Sequence, residues 1–321
     1  MRITTIGRLL AGILLLWAFA ASASAQSFVE IRSGLPWASG VTRPGAAFGA
    51  WRGSPIDLRT VFFGKLNWNH IRASAKTRPD TPRMAIGFPM LPVTHRGQLA
   101  ACASGAFDGN MREIRDAMLA NGWKGSLVRL GWEFNRVDHS VFPWAAQGDG
   151  SSYVGCFRRW VGILNAGAKN FVIVWNAGNE GTYPGPIERL WPGDSYVDIV
   201  GSNFYDRCPP MRTDAEFEER INRRDKWGNP AGPKAWLAWA KARGKKWALP
   251  EWGVGGQTTG CNKPGFDNPF FMRKLNEFLR ANASQVAFES YFNGRVNATG
   301  SHEVYPTIYN PKAAAMYQQL W

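Results

Sequence analysis

Two glutamates occupy equivalent places in two strand-like segments of this 321-residue chain. Glu133 follows the apolar run Leu-Val-Arg-Leu-Gly-Trp, and Glu251, 118 residues later, follows Lys-Trp-Ala-Leu-Pro. Each glutamate has aromatic neighbours, and aromatic rings supply flat faces on which sugar rings lie. Glycoside hydrolysis needs two carboxylates that flank the scissile bond. The pair therefore predicts a carbohydrate-cleaving enzyme.

Short apolar strands alternate with amphipathic helices along the chain, and these elements must position the two carboxylates. An example of helical spacing is the stripe of Met111, Ile114 and Met118. Strands that alternate with helices form parallel sheets, and eight such units predict a single α/β domain closed as a (β/α)8 TIM barrel. A doubly wound open sheet is the alternative, but no glycine-rich phosphate motif follows the first strand. The predicted strands are 46–51, 59–64, 83–90, 126–132, 170–175, 196–203, 246–251 and 285–291.

In a barrel of this kind the active site lies at the carboxyl ends of the strands. Glu133 follows strand four and Glu251 ends strand seven. Because side chains alternate along a strand, Arg129 shares a side with Glu133, and its charge would favour the ionised form of a nearby carboxylate. For either glutamate alone, a salt bridge at the barrel mouth is the structural alternative. Glu180, after strand five, is a rival carboxylate.

Three segments between about residues 105 and 255 are Leu-Gly-Trp-Glu-Phe-Asn (130–135), Trp-Pro-Gly-Asp-Ser-Tyr-Val-Asp-Ile-Val-Gly-Ser-Asn-Phe-Tyr-Asp (191–206) and Pro-Glu-Trp-Gly (250–253). In order and spacing they resemble glycoside hydrolase family 26. The resemblance implies a retaining barrel glycosidase in which Glu133 is the general acid/base and Glu251 the nucleophile. It also implies that Tyr205 hydrogen-bonds the nucleophile. The family's usual motif has a His before the acid/base, whereas this chain has Trp132, so the sugar at the cleavage site stays open.

Aromatic and amide side chains near the predicted strand ends are candidates for binding sugar. Tyr291, which ends strand eight, occupies the place where related enzymes carry an aromatic residue under the sugar at the cleavage site. Arg129 is given a supporting role. Substrate contacts are predicted for Trp132, Asn135, Trp175, Asn203, Tyr205, Trp252 and Tyr291.

The first 25 residues have the features of a signal peptide. Arg2 and Arg8 form a basic start, residues 9–21 are apolar, and Ala23-Ser24-Ala25 is a small-residue cleavage site. We predict a signal peptide at 1–25, one glycoside hydrolase barrel at 26–321, and a secreted or periplasmic protein. An uncleaved N-terminal anchor is the alternative. No later stretch has the roughly 20 apolar residues that a bilayer span needs.

The chain is basic, with a net charge of +14 that falls to +12 without Arg2 and Arg8. Such a charge suits an acidic partner or substrate. The basic residues are scattered and no nucleic-acid-binding motif is present, so nucleic acid is not predicted as a partner. The predicted partner is a polysaccharide, neutral or acidic. We expect a monomer with no membrane association after cleavage of the signal.

Four cysteines are consistent with an oxidising compartment. They show no CxxC spacing, and the four histidines form no metal-binding pattern, so neither a metal nor an organic cofactor is predicted. Three pairings of the cysteines are possible. The predicted topology places Cys102 and Cys156 near neighbouring loops, and Cys208 and Cys261 near another such pair. The predicted disulfides are therefore 102–156 and 208–261.

The sequence predicts a retaining endo-β-glycosidase that acts on an extracellular polysaccharide: β-mannan, β-glucan or a bacterial exopolysaccharide. A polysaccharide-binding barrel without catalysis is the alternative, and Trp132 is the residue that supports it. An inverting hydrolase is a third reading, which needs carboxyl groups ~6.5–9.5 Å apart, rather than the ~5–5.5 Å of retaining enzymes.

Overall fold

The computed structural model describes residues 28–43, 45–81, 83–137, 140–179, 181–207, 209–255, 267–294 and 302–321. The predicted signal peptide, the rival carboxylate Glu180 and the predicted disulfide between Cys208 and Cys261 lie outside the described residues. Within the described ranges, no helix combines the length and apolar character needed to cross a bilayer.

A closed barrel of parallel strands forms the centre of the fold. Every neighbouring pair of strands is parallel, and the sheet closes because β9 pairs with β1 and β6 pairs with β8. The sixth barrel strand has two parts, β6 and β7, which are separated at Asn203. The predicted (β/α)8 barrel is therefore confirmed. The segments are β1 Ala38–Val41, β2 Leu58–Phe62, β3 Met84–Phe88, β4 Leu127–Leu130, β5 Val172–Ala177, β6 Ile199–Ser202, β7 Phe204–Tyr205, β8 Lys246–Gly253 and β9 Val286–Tyr291.

Amphipathic helices cover the outside of the barrel. Thr213 and Glu216 form a reciprocal capping box at the start of α6, and proline occupies the first turn of α7, α8 and α9, where its missing N–H leaves no helical bond unmade. The helices are α1 Gly45–Arg52, α2 Trp68–Ala75, α3 Leu99–Ser104, α4 Asp108–Ala120, α5 Ser151–Leu164, α6 Asp214–Asn222, α7 Pro233–Lys241, α8 Pro269–Ala281 and α9 Pro311–Leu320.

One apolar layer fills the lower part of the barrel interior. It takes one side chain from each of the eight barrel strands, and Val29 packs against it from the N-terminal segment. Because side chains alternate along a strand, the residues two positions further on also face inward, nearer the carboxyl ends. These residues include Arg129 on β4 and Asn176 on β5. The layer consists of Ala38, Leu58, Ala85, Leu127, Val174, Ile199, Ala248 and Phe288.

The predicted first strand, 46–51, is wrong, because these residues belong to α1 and the first strand is β1. A short apolar run fits a buried helix as well as a strand, and periodicity alone does not separate the two. The true strand is short and contains Gly40. A side chain there would meet Leu58, since a Cβ would lie 2.7 Å from the Leu58 side chain.

A disulfide joins Cys102 on α3 to Cys156 on α5, which confirms the first predicted pairing. The two cysteines lie on helices, whereas the sequence placed them only near neighbouring loops. The bond fastens the short helix α3 to the longer helix α5, and both sulfur atoms are buried with the surrounding core.

Replacing both Cys102 and Cys156 by Ala should lower the free energy of unfolding by about 3–4 kcal/mol. The bond closes a sequence separation of 54 residues, and without it the unfolded chain gains the entropy of that loop. Urea unfolding of the variant and the wild type, both without reductant, measures the difference. Coinciding transitions would show that the bond adds nothing to stability.

Candidate active site

Glu133 and Glu251 both lie at the carboxyl end of the barrel, and their relative exposures are only 8% and 7%. Glu251 is part of β8, whereas Glu133 lies in the turn after β4. The Glu133 backbone N–H donates to the Asn176 carbonyl oxygen at 2.8 Å. Its φ is 57°, which makes Glu133 the one non-glycine residue with positive φ in the described part of the chain. The fold therefore holds this glutamate in a backbone conformation that disfavours side chains.

The Glu251 carboxylate accepts hydrogen bonds from two side chains. Arg129, which has no exposed surface, forms an ion pair with Oε1 from its Nη2. The Tyr205 hydroxyl donates to Oε2 at 3.1 Å. A cation and a hydroxyl donor both stabilise the ionised form of a carboxylate. Glu251 is therefore held in one orientation by partners on two other strands.

A chain of hydrogen bonds runs from Arg129 to Glu133 through two asparagines. Arg129 Nε donates to Asn176 Oδ1 at 2.7 Å, and Asn176 Nδ2 donates to Asn203 Oδ1 at 3.1 Å. Asn203 Nδ2 then donates to Glu133 Oε1 at 2.9 Å. Since Arg129 also pairs with Glu251, one network connects the two carboxylates. Asn176 was not predicted from the sequence, although its position two residues after the interior Val174 is a usable signal.

The pKa of Glu133 is raised, first by burial and then by the negative charge of Glu251. Three neighbours, Arg136, Asn203 and Arg129, act in the opposite direction. Arg136 Nη1 lies 3.5 Å from Glu133 Oε2, and Asn203 donates its hydrogen bond to the same carboxylate. The net rise means that Glu133 keeps its proton to higher pH than an ordinary glutamate. A carboxyl group of this kind can act as a proton donor.

Three aromatic rings border the carboxylates, and we call them the aromatic wall: Phe62, Trp132 and Phe292. The Phe62 ring lies 5.6 Å from Trp132 and 6.2 Å from Phe292, between ring centres. Phe292 in turn lies 6.2 Å from Tyr205. Phe62 is 39% exposed, so the wall offers an apolar face to solvent. The sequence analysis named only Trp132, because nothing in the sequence distinguishes Phe62 or Phe292 from core phenylalanines.

The structure corrects the predicted sugar contacts of Trp175, Trp252 and Tyr291, all of which have no exposed surface. The Trp175 ring stacks between two others on the helix side of β5. Its ring centre lies 4.3 Å from that of Phe134 and 5.2 Å from that of Trp239. The Tyr291 hydroxyl donates to the His302 carbonyl oxygen at 2.6 Å. These side chains face the helices rather than the barrel interior, so they pack the core behind the site.

Asn135, which was also predicted to contact sugar, holds two loops together. It is buried, and its Oδ1 accepts a hydrogen bond from the Gly178 N–H at 2.7 Å. The backbone carbonyl oxygen of Asn135 accepts hydrogen bonds from the backbone N–H groups of Thr182 and Tyr183. The turn that carries Glu133 is thereby fastened to the loop after β5. Asn203 and Tyr205, the other polar candidates, donate directly to the two carboxylates.

A further buried carboxyl group belongs to Glu289 on β9 and lies on the outer, helix-facing side of the barrel. The Trp252 indole N–H donates to Glu289 Oε2. Burial raises the pKa of Glu289 to about 7. Its sequence signal is a charged residue inside the apolar strand Val-Ala-Phe-Glu-Ser-Tyr. Glu289 faces away from the barrel interior. Its contact with Trp252 holds in place the residue that directly follows Glu251.

His302 packs against Tyr205, with ring centres 4.8 Å apart. Burial lowers the pKa of His302 to about 4, so the ring is neutral near pH 7. Among the described residues, no group of three or more His, Cys, Asp or Glu side chains is arranged to hold a metal ion. His302 therefore serves as a neutral packing partner of Tyr205.

Comparison with known proteins shows what this architecture resembles. No family model and no curated protein matches the chain. Among solved structures, GH26C from a Muricauda species has a TM-score of 0.56 at 16% identity, over 80% of this chain and 78% of that one. A GH26 β-mannanase from Bacteroides ovatus has 0.52 at 14%, over 88% and 86%. An endo-β-1,4-mannanase double mutant from Cellulomonas fimi has 0.50 at 22%, over 78% of this chain but 56% of that chain. The likeness confirms the resemblance at the level of the fold.

Replacing Glu251 by Gln should lower the pKa of Glu133. The substitution removes a negative charge that raises this pKa, and it leaves the positive charge of Arg129 unneutralised. Carbon-13 NMR of labelled glutamate carboxyl groups, with Glu133→Gln for assignment, measures the shift. Glu277→Gln on the exposed side of α8 is the matched control. A Glu133 pKa that stays fixed would mean that the two carboxyls do not interact.

Proposed function

We propose that this chain is a retaining glycoside hydrolase of the family 26 type, with Glu133 as general acid/base and Glu251 as nucleophile. The observation that carries the proposal is the contrast between the two carboxyl groups. Glu251 is paired with a buried guanidinium and a tyrosine hydroxyl, whereas burial and the charge of Glu251 raise the pKa of Glu133. Paired carboxyl groups in opposite environments take opposite roles in acid/base chemistry.

In the first step, the Glu251 carboxylate attacks the anomeric carbon and forms a glycosyl–enzyme ester. The bond from that carbon to the glycosidic oxygen breaks, and Glu133 donates its proton to the departing oxygen. Arg129 and Tyr205 hold Glu251 for the attack. The hydrogen-bond network through Asn176 and Asn203 keeps the two carboxyl groups in a fixed position relative to each other during the step.

In the second step, Glu133 is a carboxylate and acts as base. It takes a proton from water while the water oxygen attacks the anomeric carbon, and the ester bond to Glu251 breaks. The product keeps the configuration of the substrate, and both glutamates return to their starting states. Arg136, 3.5 Å from Glu133, stabilises the charge that Glu133 carries at this stage.

The proposed substrate is a β-linked polysaccharide, cleaved inside the chain. The aromatic wall, with Phe62 39% exposed, offers sugar rings an apolar surface beside the carboxylates. The Bacteroides ovatus and Cellulomonas fimi proteins are described as mannanases, which supports a β-mannan-like backbone. β-Glucan and bacterial exopolysaccharide belong to the same class. The predicted signal peptide implies that the enzyme acts in the periplasm or outside the cell.

Replacing Glu251 by Ala should lower kcat at least about a thousandfold on any polysaccharide that the wild type cleaves, since the covalent step is lost. Reducing-end release on mannan, mixed-linkage β-glucan, xylan and exopolysaccharides measures it. Azide should then rescue each variant with a diagnostic product: the α-glycosyl azide with Glu251→Ala and the β-glycosyl azide with Glu133→Ala. Glu277→Ala is the control and should keep wild-type rates.

Two results would oppose this proposal. Binding without hydrolysis by the wild type on the whole panel would favour a polysaccharide-binding barrel. If proton NMR shows that the α-anomer is released first from a β-linked substrate, the enzyme is instead an inverting one.

Replacing Arg136 by Gln should move the alkaline limb of the pH–rate profile to higher pH. The Arg136 cation lowers the pKa of Glu133, so its removal lets Glu133 stay protonated, and thus active as an acid, to higher pH. The profile of kcat/KM against pH measures the change. Arg112→Gln removes the same charge from the surface of α4 and serves as control. A shift toward lower pH would contradict the assignment of Glu133 as the acid.

A further inference from the structure

A cavity of about 320 Å³ lies beside the aromatic wall, over the carboxyl ends of β1, β2 and β9. Phe62 and Phe292 form the side that it shares with the wall, and Arg43 and Arg59 form part of the remainder. The catalytic carboxylates lie at the same end of the barrel. The cavity is therefore next to the proposed active site but uses none of its catalytic residues.

The two arginines bring two positive charges to this cavity, and none of the described residues that line it carries a carboxylate. Burial lowers the pKa of Arg59, and the like charge of Arg43 lowers it further. Arg59 pairs with Asp80, which is not part of the lining, and its Nε donates to the Thr42 carbonyl oxygen at 3.3 Å. An anion in the cavity would relieve the repulsion.

Arg43 is the free cation of the pair, because its guanidinium makes no hydrogen bond or ion pair with any described residue. It is exposed, and its backbone is fixed, since Asn293 Nδ2 donates to the Arg43 carbonyl oxygen at 2.8 Å. A planar guanidinium on a fixed backbone can bind the two oxygens of a carboxylate through two parallel hydrogen bonds.

Phe62 connects the cavity to the catalytic centre. Its ring lines the cavity and lies 5.6 Å from Trp132, while the guanidinium carbon of Arg129 lies 5.4 Å from the same ring. Arg129 pairs with Glu251. A sugar chain that lies along the aromatic wall with one unit at the carboxylates therefore places the substituents of a nearby unit at the cavity.

Other basic side chains surround the same mouth. The Lys65 ammonium lies 6.0 Å from the centre of the Trp132 ring, and Arg136 lies beside Glu133. Cations on several sides of a cleft raise the local concentration of a polyanion and accelerate its association. The mouth as a whole is therefore suited to an acidic polymer more than to a neutral one.

Resting on the proposed function, we propose that the cavity is a subsite for a carboxylate-bearing sugar unit, and that the substrate is an acidic polysaccharide such as a uronate-containing chain. Arg43 binds the carboxylate as a fork, Arg59 adds a second positive charge, and Phe62 supports the sugar ring. The substrate class thus becomes an acidic β-linked polymer, distinct from neutral mannan.

The test uses pairs of oligosaccharides that differ only in the carboxyl group. One pair is the β-1,4-mannuronate hexasaccharide and mannohexaose, which is its carboxyl-reduced counterpart. The second pair is a glucuronate-containing exopolysaccharide fragment and its carboxyl-reduced form. A sulfated hexasaccharide serves as an anion of another type. Binding to Glu251→Ala by calorimetry and hydrolysis by the wild type are measured separately, so that a failure of catalysis does not hide recognition.

The expected result is tighter binding of the acidic member in at least one pair, and loss of this preference in Glu251→Ala/Arg43→Gln by about tenfold to a hundredfold, as for a hydrogen bond to a charged group. Arg43→Lys should restore part of the preference, because it keeps the charge but not the fork. The preference should weaken with added NaCl. Arg112→Gln, a surface substitution of equal charge on α4, should leave it unchanged.

Equal binding of acidic and reduced members in both pairs would overturn the subsite. So would a preference that survives Arg43→Gln, or equally tight binding of the sulfated hexasaccharide, which would replace carboxylate recognition by general anion binding. Hydrolysis that shows no carboxyl preference would leave the glycosidase standing without this subsite. Carboxyl-dependent binding without hydrolysis of any oligosaccharide would support the subsite and oppose the proposed glycosidase activity.

Discussion

The buried guanidinium of Arg129 is the constraint on which the site depends. A cation with no exposed surface is stable inside a protein only if it is paired and hydrogen-bonded. Arg129 is paired across the barrel with Glu251 on β8 and hydrogen-bonded to Asn176 on the adjacent β5, whereas its Nη1 has no hydrogen-bond partner among the described residues. Three strands are thereby held in one arrangement at their carboxyl ends. The break in the sixth strand at Asn203 then extends the same network to Glu133.

Features that depend on local patterns could be predicted from the sequence. Strands that alternate with helices specify the barrel, and the apolar runs before Glu133 and Glu251 place both residues at strand ends. The first strand could not be found in this way. Ala-Ser-Gly-Val is too short and too weakly apolar to compete with the run at 46–51, and it forms a strand through its pairing with β2 and β9. Gly40 leaves room there for the Leu58 side chain.

Features that depend on which face of a strand a residue occupies were harder to predict. Once Glu251 faces inward, alternation places Trp252 outward, and the same reasoning separates Asn176 from Trp175. The signal was therefore present for the buried tryptophans, although their attraction as sugar-binding residues concealed it. Phe62 carried no such signal. Its exposure follows from the shape of the barrel mouth, which no local pattern encodes.

Because Glu133 has a left-handed backbone conformation, the residue that would be most stable at this position differs from the residue that the proposed activity requires. A glycine at this position would relieve about 1 kcal/mol or more of conformational strain, and Gly131, two residues earlier with the same φ of 57°, shows which residue this turn prefers. Variants enriched for heat resistance alone would therefore drift toward losing the residue to which the proposed mechanism assigns acid/base catalysis. Directed evolution of this chain for robustness has to screen turnover at every round.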